Sequence, residues 1–401
     1  MRVPAVAWAG SVVAANLLHA ADAFVVSPSA AAATAVGGGG ARGGAYPSWS
    51  RTPLPSTDST WGNSRNARRA RQGSCALGMK MDVGPGSYVA LVTPMTLDGT
   101  IDEEALRGLL RWHLDSGTDG IVALGTTGEA SVLSVAERQL VLDVTVQEVG
   151  GRVPVVAGTS SVNPVVVIEQ SVQAAERGAD AVLVVTPAYV KPSQQGLVKF
   201  YTMIADQGEL PVVLYNVPGR TAVDMGTAAI AELAKHPRIV GLKDATGDLS
   251  RIGELRAACP EEFLFYSGDD ATGMEFCLGG GDGLISVTAD VAPREMAEVV
   301  KACRAGDRQA AEAINNKVIE LHSKLFVQGN PVTVKYALAR MGLLQDMLRV
   351  PLVPMEPEYR DQVDGALESA GALLLLLRRR PRRKGSLRGR RQRPLESVCR
   401  G

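Results

Sequence analysis

The sequence predicts an α/β chain: a (β/α)8 barrel of the TIM-barrel type, followed by a helical C-terminal subdomain. Two observations predict it. Between residues 81 and 305 a short apolar, β-branched run recurs eight times, at intervals of roughly 20 to 34 residues. Each run is followed by Gly, Thr, Pro or Asp and then by helical periodicity, so strands apolar on both faces alternate with covering helices, as a parallel sheet requires.

In order, the runs are Tyr88–Val92, Gly120–Leu124, Val153–Ala157, Ala181–Val185, Pro211–Tyr215, Ile239–Lys243, Phe263–Ser267 and Gly283–Val287. Amphipathic stretches such as Asp102–Ser116, Val135–Val149 and Pro164–Arg177 separate them. A doubly wound open sheet is the competing architecture, but it usually has fewer strands and wants a Gly-rich phosphate loop after the first one. Here the first run ends Val92-Thr93-Pro94, with no such loop. Three further helical stretches, about 307–327, 331–342 and 356–371, follow the eighth unit and make up the subdomain 306–377.

Both ends differ in composition from this middle. Residues 1–80 carry eight basic and two acidic residues, with much Ala, Gly and Ser, a composition that buries no core. Arg2, the apolar run Val3–Leu18 and the triplet Ala21-Asp22-Ala23 have the layout of a signal peptide over 1–23, and the acid-poor stretch 24–80 that of a transit peptide. The junction Ala21-Asp22-Ala23-Phe24 resembles the Ala-x-Ala-Phe motif of presequences in algae with secondary plastids, which makes the plastid stroma the expected location. A secreted protein with a disordered linker is the other reading of these residues. At the far end, 378–401 holds eleven basic residues and one acid without interleaved aromatics, so a solvated, disordered tail is expected rather than a nucleic-acid or membrane contact.

The 401 residues are 46% hydrophobic and 21% charged, which excludes a wholly disordered or collagen-like chain. Lysine plus arginine and aspartate plus glutamate both total 42, yet 81–377 alone holds 23 basic against 39 acidic residues, a net charge of −16. That sign argues against a nucleic-acid partner, and the run Leu373–Leu377 is too short to cross a membrane. Five scattered cysteines form no CxxC pair, and with four scattered histidines they offer no metal-ligand spacing, so no metal is expected.

If sites lie at strand C-termini, the polar residues there are the candidates. They are Gly125-Thr126-Thr127-Gly128-Glu129, Thr186-Pro187-Ala188-Tyr189, Tyr215-Asn216, Lys243-Asp244 and Ser267-Gly268-Asp269-Asp270. Lys243 ends an apolar strand, where desolvation lowers a lysine pKa and permits imine formation with a carbonyl; a structural ion pair with Asp244 is the plainer alternative. Tyr215 ends the preceding strand, so its phenol can stand beside that amine as a proton carrier, or be an ordinary core tyrosine. The Gly-Thr-Thr-Gly turn offers N–H groups and hydroxyls to a carboxylate. Arg220 can clamp a second carboxylate at the rim or stand in solvent as a surface arginine, and Tyr189 reads as a site residue or a subunit contact.

Together these motifs, with Leu214-Tyr215-Asn216-Val217-Pro218, Gly241-Leu242-Lys243-Asp244-Ala245-Thr246-Gly247 and Gly283-Leu284-Ile285-Ser286-Val287, resemble the dihydrodipicolinate synthase family of pyruvate-dependent class I aldolases over about Gly86 to Leu374. The resemblance implies condensation of pyruvate with L-aspartate 4-semialdehyde to a hydroxy-tetrahydrodipicolinate, without cofactor, in a homotetramer of tight dimers. It implies that Lys243 forms the Schiff base and that Tyr215, Thr126 and Tyr189 relay protons, Tyr189 across the dimer. Thr127 would hold the pyruvate carboxylate and Arg220 that of the semialdehyde, with Gly268 and Ile285 giving backbone contacts. Sialic-acid lyases, the nearest alternative, resemble the same Tyr215 motif but lack this arginine. A catalytically silent barrel is the remaining alternative, and the filled reactive positions speak against it.

Two positions depart from the family pattern. Asp244 stands where a Glu is usual. Lysine-inhibited members carry Asn, Glu and Tyr where this chain has Val162, Val166 and Ala188, so an effector lysine would find its charges unpaired, and weak or absent inhibition is expected.

Overall fold

Eight strands, apolar on both faces, solve their burial by closing on themselves. The computed structural model describes residues 81–373; the presequence and basic-tail expectations lie outside these residues. The strands are β1 (Gly86–Ala90), β2 (Gly120–Ala123), β3 (Val155–Gly158), β4 (Ala181–Val185), β5 (Val212–Asn216), β6 (Ile239–Asp244), β7 (Leu264–Ser267) and β8 (Gly283–Ser286). They pair in parallel in chain order, and β1 joins β8 through Gly86↔Gly283 to Val89↔Ser286, which makes the closed barrel of the expected fold class. The first strand starts two residues before the expected Tyr88, because the partnership with β8 reaches back to Gly86, which lacks the side-chain pattern of a strand.

The helices are α1 (Glu103–Ser116), α2 (Val135–Val149), α3 (Pro164–Glu176), α4 (Gln194–Gln207), α5 (Pro218–Thr221), α6 (Thr227–Leu233), α7 (Arg251–Ala258) and α8 (Asp270–Leu278), then α9 (Pro293–Arg304), α10 (Arg308–Lys324), α11 (Val332–Arg340) and α12 (Pro357–Ser369). Local chemistry sets their ends. Asp102 accepts from the Ala105 N–H at the start of α1, and Gly117 closes it in the left-handed region. Ser134 and Glu137 form a reciprocal capping box on α2. The three helices expected after the eighth unit are α10, α11 and α12, each within a few residues of its expected span.

Two apolar layers result. One lies between strands and helices; the other fills the barrel with Tyr88, Val122, Val156, Leu183, Val213, Tyr266 and Ile285. Tyr88 and Tyr266 meet edge to face at 5.2 Å between centroids, and both hydroxyls donate to the Gly84 carbonyl, so one end of the barrel is plugged. Gly120 is required there, since a Cβ would fall 2.0 Å from Cε1 of Tyr88. The opposite end stays open.

Candidate active site

At the C-terminal ends of the strands lies a cavity of about 150 Å³, lined by Thr126, Thr127, Tyr215, Val217, Arg220, Lys243, Ala245, Gly268, Asp269, Val287, Phe326 and Asn330, among others. Six of the eight residues expected to form the site therefore converge. The register pairs Tyr215 with Lys243 across β5 and β6, and the lysine amine sits over the tyrosine ring, 4.6 Å from its centroid.

Lys243 is 5% exposed, and burial lowers its pKa to about 8, with the Asp270 carboxylate opposing and the Arg220 guanidinium reinforcing that displacement. The alternative pairing with Asp244 is not found: Asp244 Oδ2 instead accepts from Nε of Arg251 at 3.0 Å. Asp244 also receives the backbone N–H of Thr246, which fixes the loop after β6. The amine is thereby left free to react.

Burial raises the Tyr215 pKa, and the nearby Arg220 charge and a side-chain hydrogen bond with Thr126 oppose the rise. The phenol is therefore a proton donor at neutral pH. Gly268 has a steric reason to be there, because a Cβ would stand 2.6 Å from Cε of Lys243. Its backbone N–H donates to the Asp244 carbonyl at 2.7 Å.

The Gly-Thr-Thr-Gly turn is held from three sides. Thr93 Oγ1 donates to the Gly128 carbonyl at 2.8 Å. Glu129 takes a left-handed φ of 53° and forms a wholly buried ion pair with Lys335 of α11 at 2.6 Å. Asn330 Nδ2 donates to Thr127 Oγ1 at 2.9 Å. Arg220 stands at the exposed rim, with Nη2 donating to the Asn330 carbonyl at 3.1 Å.

Two expected residues lie elsewhere. Ile285 belongs to the barrel interior, and Val287 is the residue that lines the cavity from the end of β8. Tyr189 does not line it either; it is 93% exposed, at a φ of 70°, in the loop after β4.

Sequence reasoning assigned no role to Asn330, Lys335 or Asp270. Asp270 Oδ2 accepts the N–H groups of Val287 and Thr288 at 3.0 and 2.7 Å, tying α8 to the segment after β8. Thr288 Oγ1 lies 3.0 Å from Nδ1 of His322, and His322 Nε2 lies 3.0 Å from Oδ1 of Asn315, so the tie continues into α10. Asp270 was visible as a strand-end acid. Asn330 and Lys335 sit far along the chain in the helical subdomain, where strand-end logic does not look.

The chain is 50% identical over 288 residues to the 4-hydroxy-tetrahydrodipicolinate synthase of Methylococcus capsulatus, covering 72% of this chain and 99% of that one. Among solved structures it is similar to the dihydrodipicolinate synthase of Acinetobacter baumannii complexed with pyruvate, with 46% identity, a TM-score of 0.71 and coverage of 72% of this chain and 100% of that one. The enzyme of Cyanidioschyzon merolae with lysine bound is 33% identical, with a TM-score of 0.70 and coverage of 72% and 99%. The model of the dihydrodipicolinate synthetase family matches residues 85–370, the whole barrel and nearly all of the described helical subdomain, and this chain belongs to that family.

Proposed function

We propose that the chain is a lyase that condenses pyruvate with L-aspartate 4-semialdehyde through a Schiff base on Lys243, giving 4-hydroxy-tetrahydrodipicolinate, the first committed step toward diaminopimelate and lysine. One observation carries the mechanism: a buried, unpaired lysine amine whose pKa is lowered to about 8, over the ring of a protonated tyrosine, in a cavity with separate anion-binding groups.

The neutral amine adds to the ketone carbon of pyruvate, and loss of water gives the imine. Its nitrogen serves as the electron sink when the methyl group loses a proton, so the step asks for neither metal nor organic cofactor. The resulting enamine carbon attacks the aldehyde of the second substrate. The amino group of that substrate then adds to the imine carbon, closing the ring and returning the Lys243 amine. Tyr215 and Thr126 pass the protons, Thr127 holds the pyruvate carboxylate, Arg220 holds that of the semialdehyde, and Gly268 flanks the imine through its backbone.

The decisive experiment incubates protein starting near Met81 with pyruvate and sodium borohydride and maps the added mass by peptide mass spectrometry. A reduced adduct on Lys243 is expected. Folded protein that acquires none would refute the aldolase mechanism. Supplying semialdehyde against sialic acid or 2-keto-3-deoxy sugar acids then separates synthase from lyase.

Tyr189 completes the proposal in an oligomer, a tetramer of tight dimers. An aromatic side chain left 93% exposed beside Val190, at 57%, is supported as a contact that a second copy covers. Tyr189→Ala should shift the mass measured by light scattering downward and lower kcat together; unchanged mass and activity would exclude the role. For location, we propose import into the plastid stroma. A fluorescent protein carrying residues 1–80 should reach the stroma of an alga with a secondary plastid, and secretion would contradict this.

A further inference from the structure

Asn330 is 8% exposed and lines the cavity, yet its side-chain Oδ1 has no hydrogen-bond partner among the described residues. Its other groups are committed. Nδ2 donates to Thr127 Oγ1 at 2.9 Å, and its backbone carbonyl accepts from Arg220 Nη2 at 3.1 Å. A buried amide oxygen without a donor is costly, and in a native protein such a group calls for a partner. The partner must be a hydrogen-bond donor that enters the cavity.

We propose that Asn330 Oδ1 accepts the α-amino group of the second substrate, and so selects an α-amino semialdehyde over an analogue without the amine. This rests on the aldol reading of the site above. Arg220, the group that takes the substrate carboxylate in that reading, is held by the same residue. The carboxylate and amino group of an α-amino acid share one carbon, so adjacent acceptors and donors of opposite character, an amide oxygen beside a guanidinium, match the two substituents of that carbon. An ammonium group gives a charge-assisted bond to an amide oxygen, whereas a C–H at the same place leaves the oxygen unpaired.

The Nδ2 bond has a second effect. By occupying a lone pair of Thr127 Oγ1, it leaves the hydroxyl proton to point at an anion, so Asn330 links the pockets for both substrates. It touches the second substrate directly and positions Thr127 for the first.

The test compares the KM for L-aspartate semialdehyde with the inhibition constant of succinate semialdehyde, its des-amino analogue, in wild type, Asn330→Ala and Asn330→Asp. Asn330→Ala should raise the KM about 10- to 100-fold, the value of one hydrogen bond to a charged group, while moving the inhibition constant much less. Asn330→Asp keeps an acceptor, so discrimination by the amine should survive, while loss of the donor to Thr127 raises the KM for pyruvate. Equal weakening of both semialdehydes by Asn330→Ala, or loss of discrimination in Asn330→Asp, would overturn the proposal. Borohydride trapping of pyruvate on Lys243 in each variant confirms an intact site. Failure of that trapping in wild type would sink the aldol reading itself, a result distinct from failure of the Asn330 assignment.

Discussion

Replacing Lys243 by methionine should abolish activity and stabilise the fold. In the native protein burial displaces this amine from the ordinary lysine value of 10.5 to about 8. That displacement corresponds to roughly 3 kcal/mol between the protonated and neutral forms, at about 1.4 kcal/mol for each tenfold change. Because the folded-state value lies below the unfolded one, the folded chain binds fewer protons between pH 8 and 10.5, and wild-type stability rises with pH across that window. Below pH 8 the cost is felt in full; above 10.5 it vanishes. Methionine removes it at every pH while filling a similar volume. Lys243→Met should therefore be more stable than wild type at pH 7, by up to about 3 kcal/mol or several degrees in Tm, with the advantage shrinking as pH approaches 10. Matched thermal scans of the two proteins at pH 7 and pH 10 measure it. A variant less stable than wild type at pH 7, or an advantage that does not change with pH, would refute the account of a desolvated amine held at the cost of stability.

Tyr215→Phe keeps the ring against Lys243 but removes the phenol hydroxyl, so kcat should fall about 10²- to 10⁴-fold while borohydride still traps pyruvate; loss of trapping would show that the hydroxyl is already required to form the imine, and an unchanged kcat would exclude it as a proton carrier. Lys335→Met removes the ion-pair partner of the buried Glu129 carboxylate and should cost about 3–5 kcal/mol in urea unfolding, whereas Lys235→Met, which breaks an exposed pair, should cost less than about 1 kcal/mol. The double change Glu129→Gln with Lys335→Met should recover much of the first loss. Millimolar L-lysine should leave steady-state activity nearly untouched, because Val162, Val166 and Ala188 offer its charges no partner; a sub-millimolar inhibition constant would contradict that.

By itself the sequence determined the barrel and most of its chemistry. Strands buried on both faces must be continuously apolar, so all eight stood out, and any polar residue that ends one, such as Tyr215 or Lys243, is conspicuous against that background. Adjacency in a parallel barrel follows chain order, which is why the pairing of Tyr215 with Lys243 was legible before any coordinates. The tertiary structure alone decided which strand-end groups are free and which are spent. Asp244 follows Lys243 in sequence, but successive residues of a strand point to opposite faces, and Arg251 takes its carboxylate. Tyr189 and Ile285 both stand near strand ends in the sequence, yet one faces outward and the other is buried in the barrel interior. Asn330 and Lys335 reach the Gly-Thr-Thr-Gly turn from 203 and 206 positions away in the chain, and such contacts depend on how the helical subdomain packs, to which local periodicity is blind.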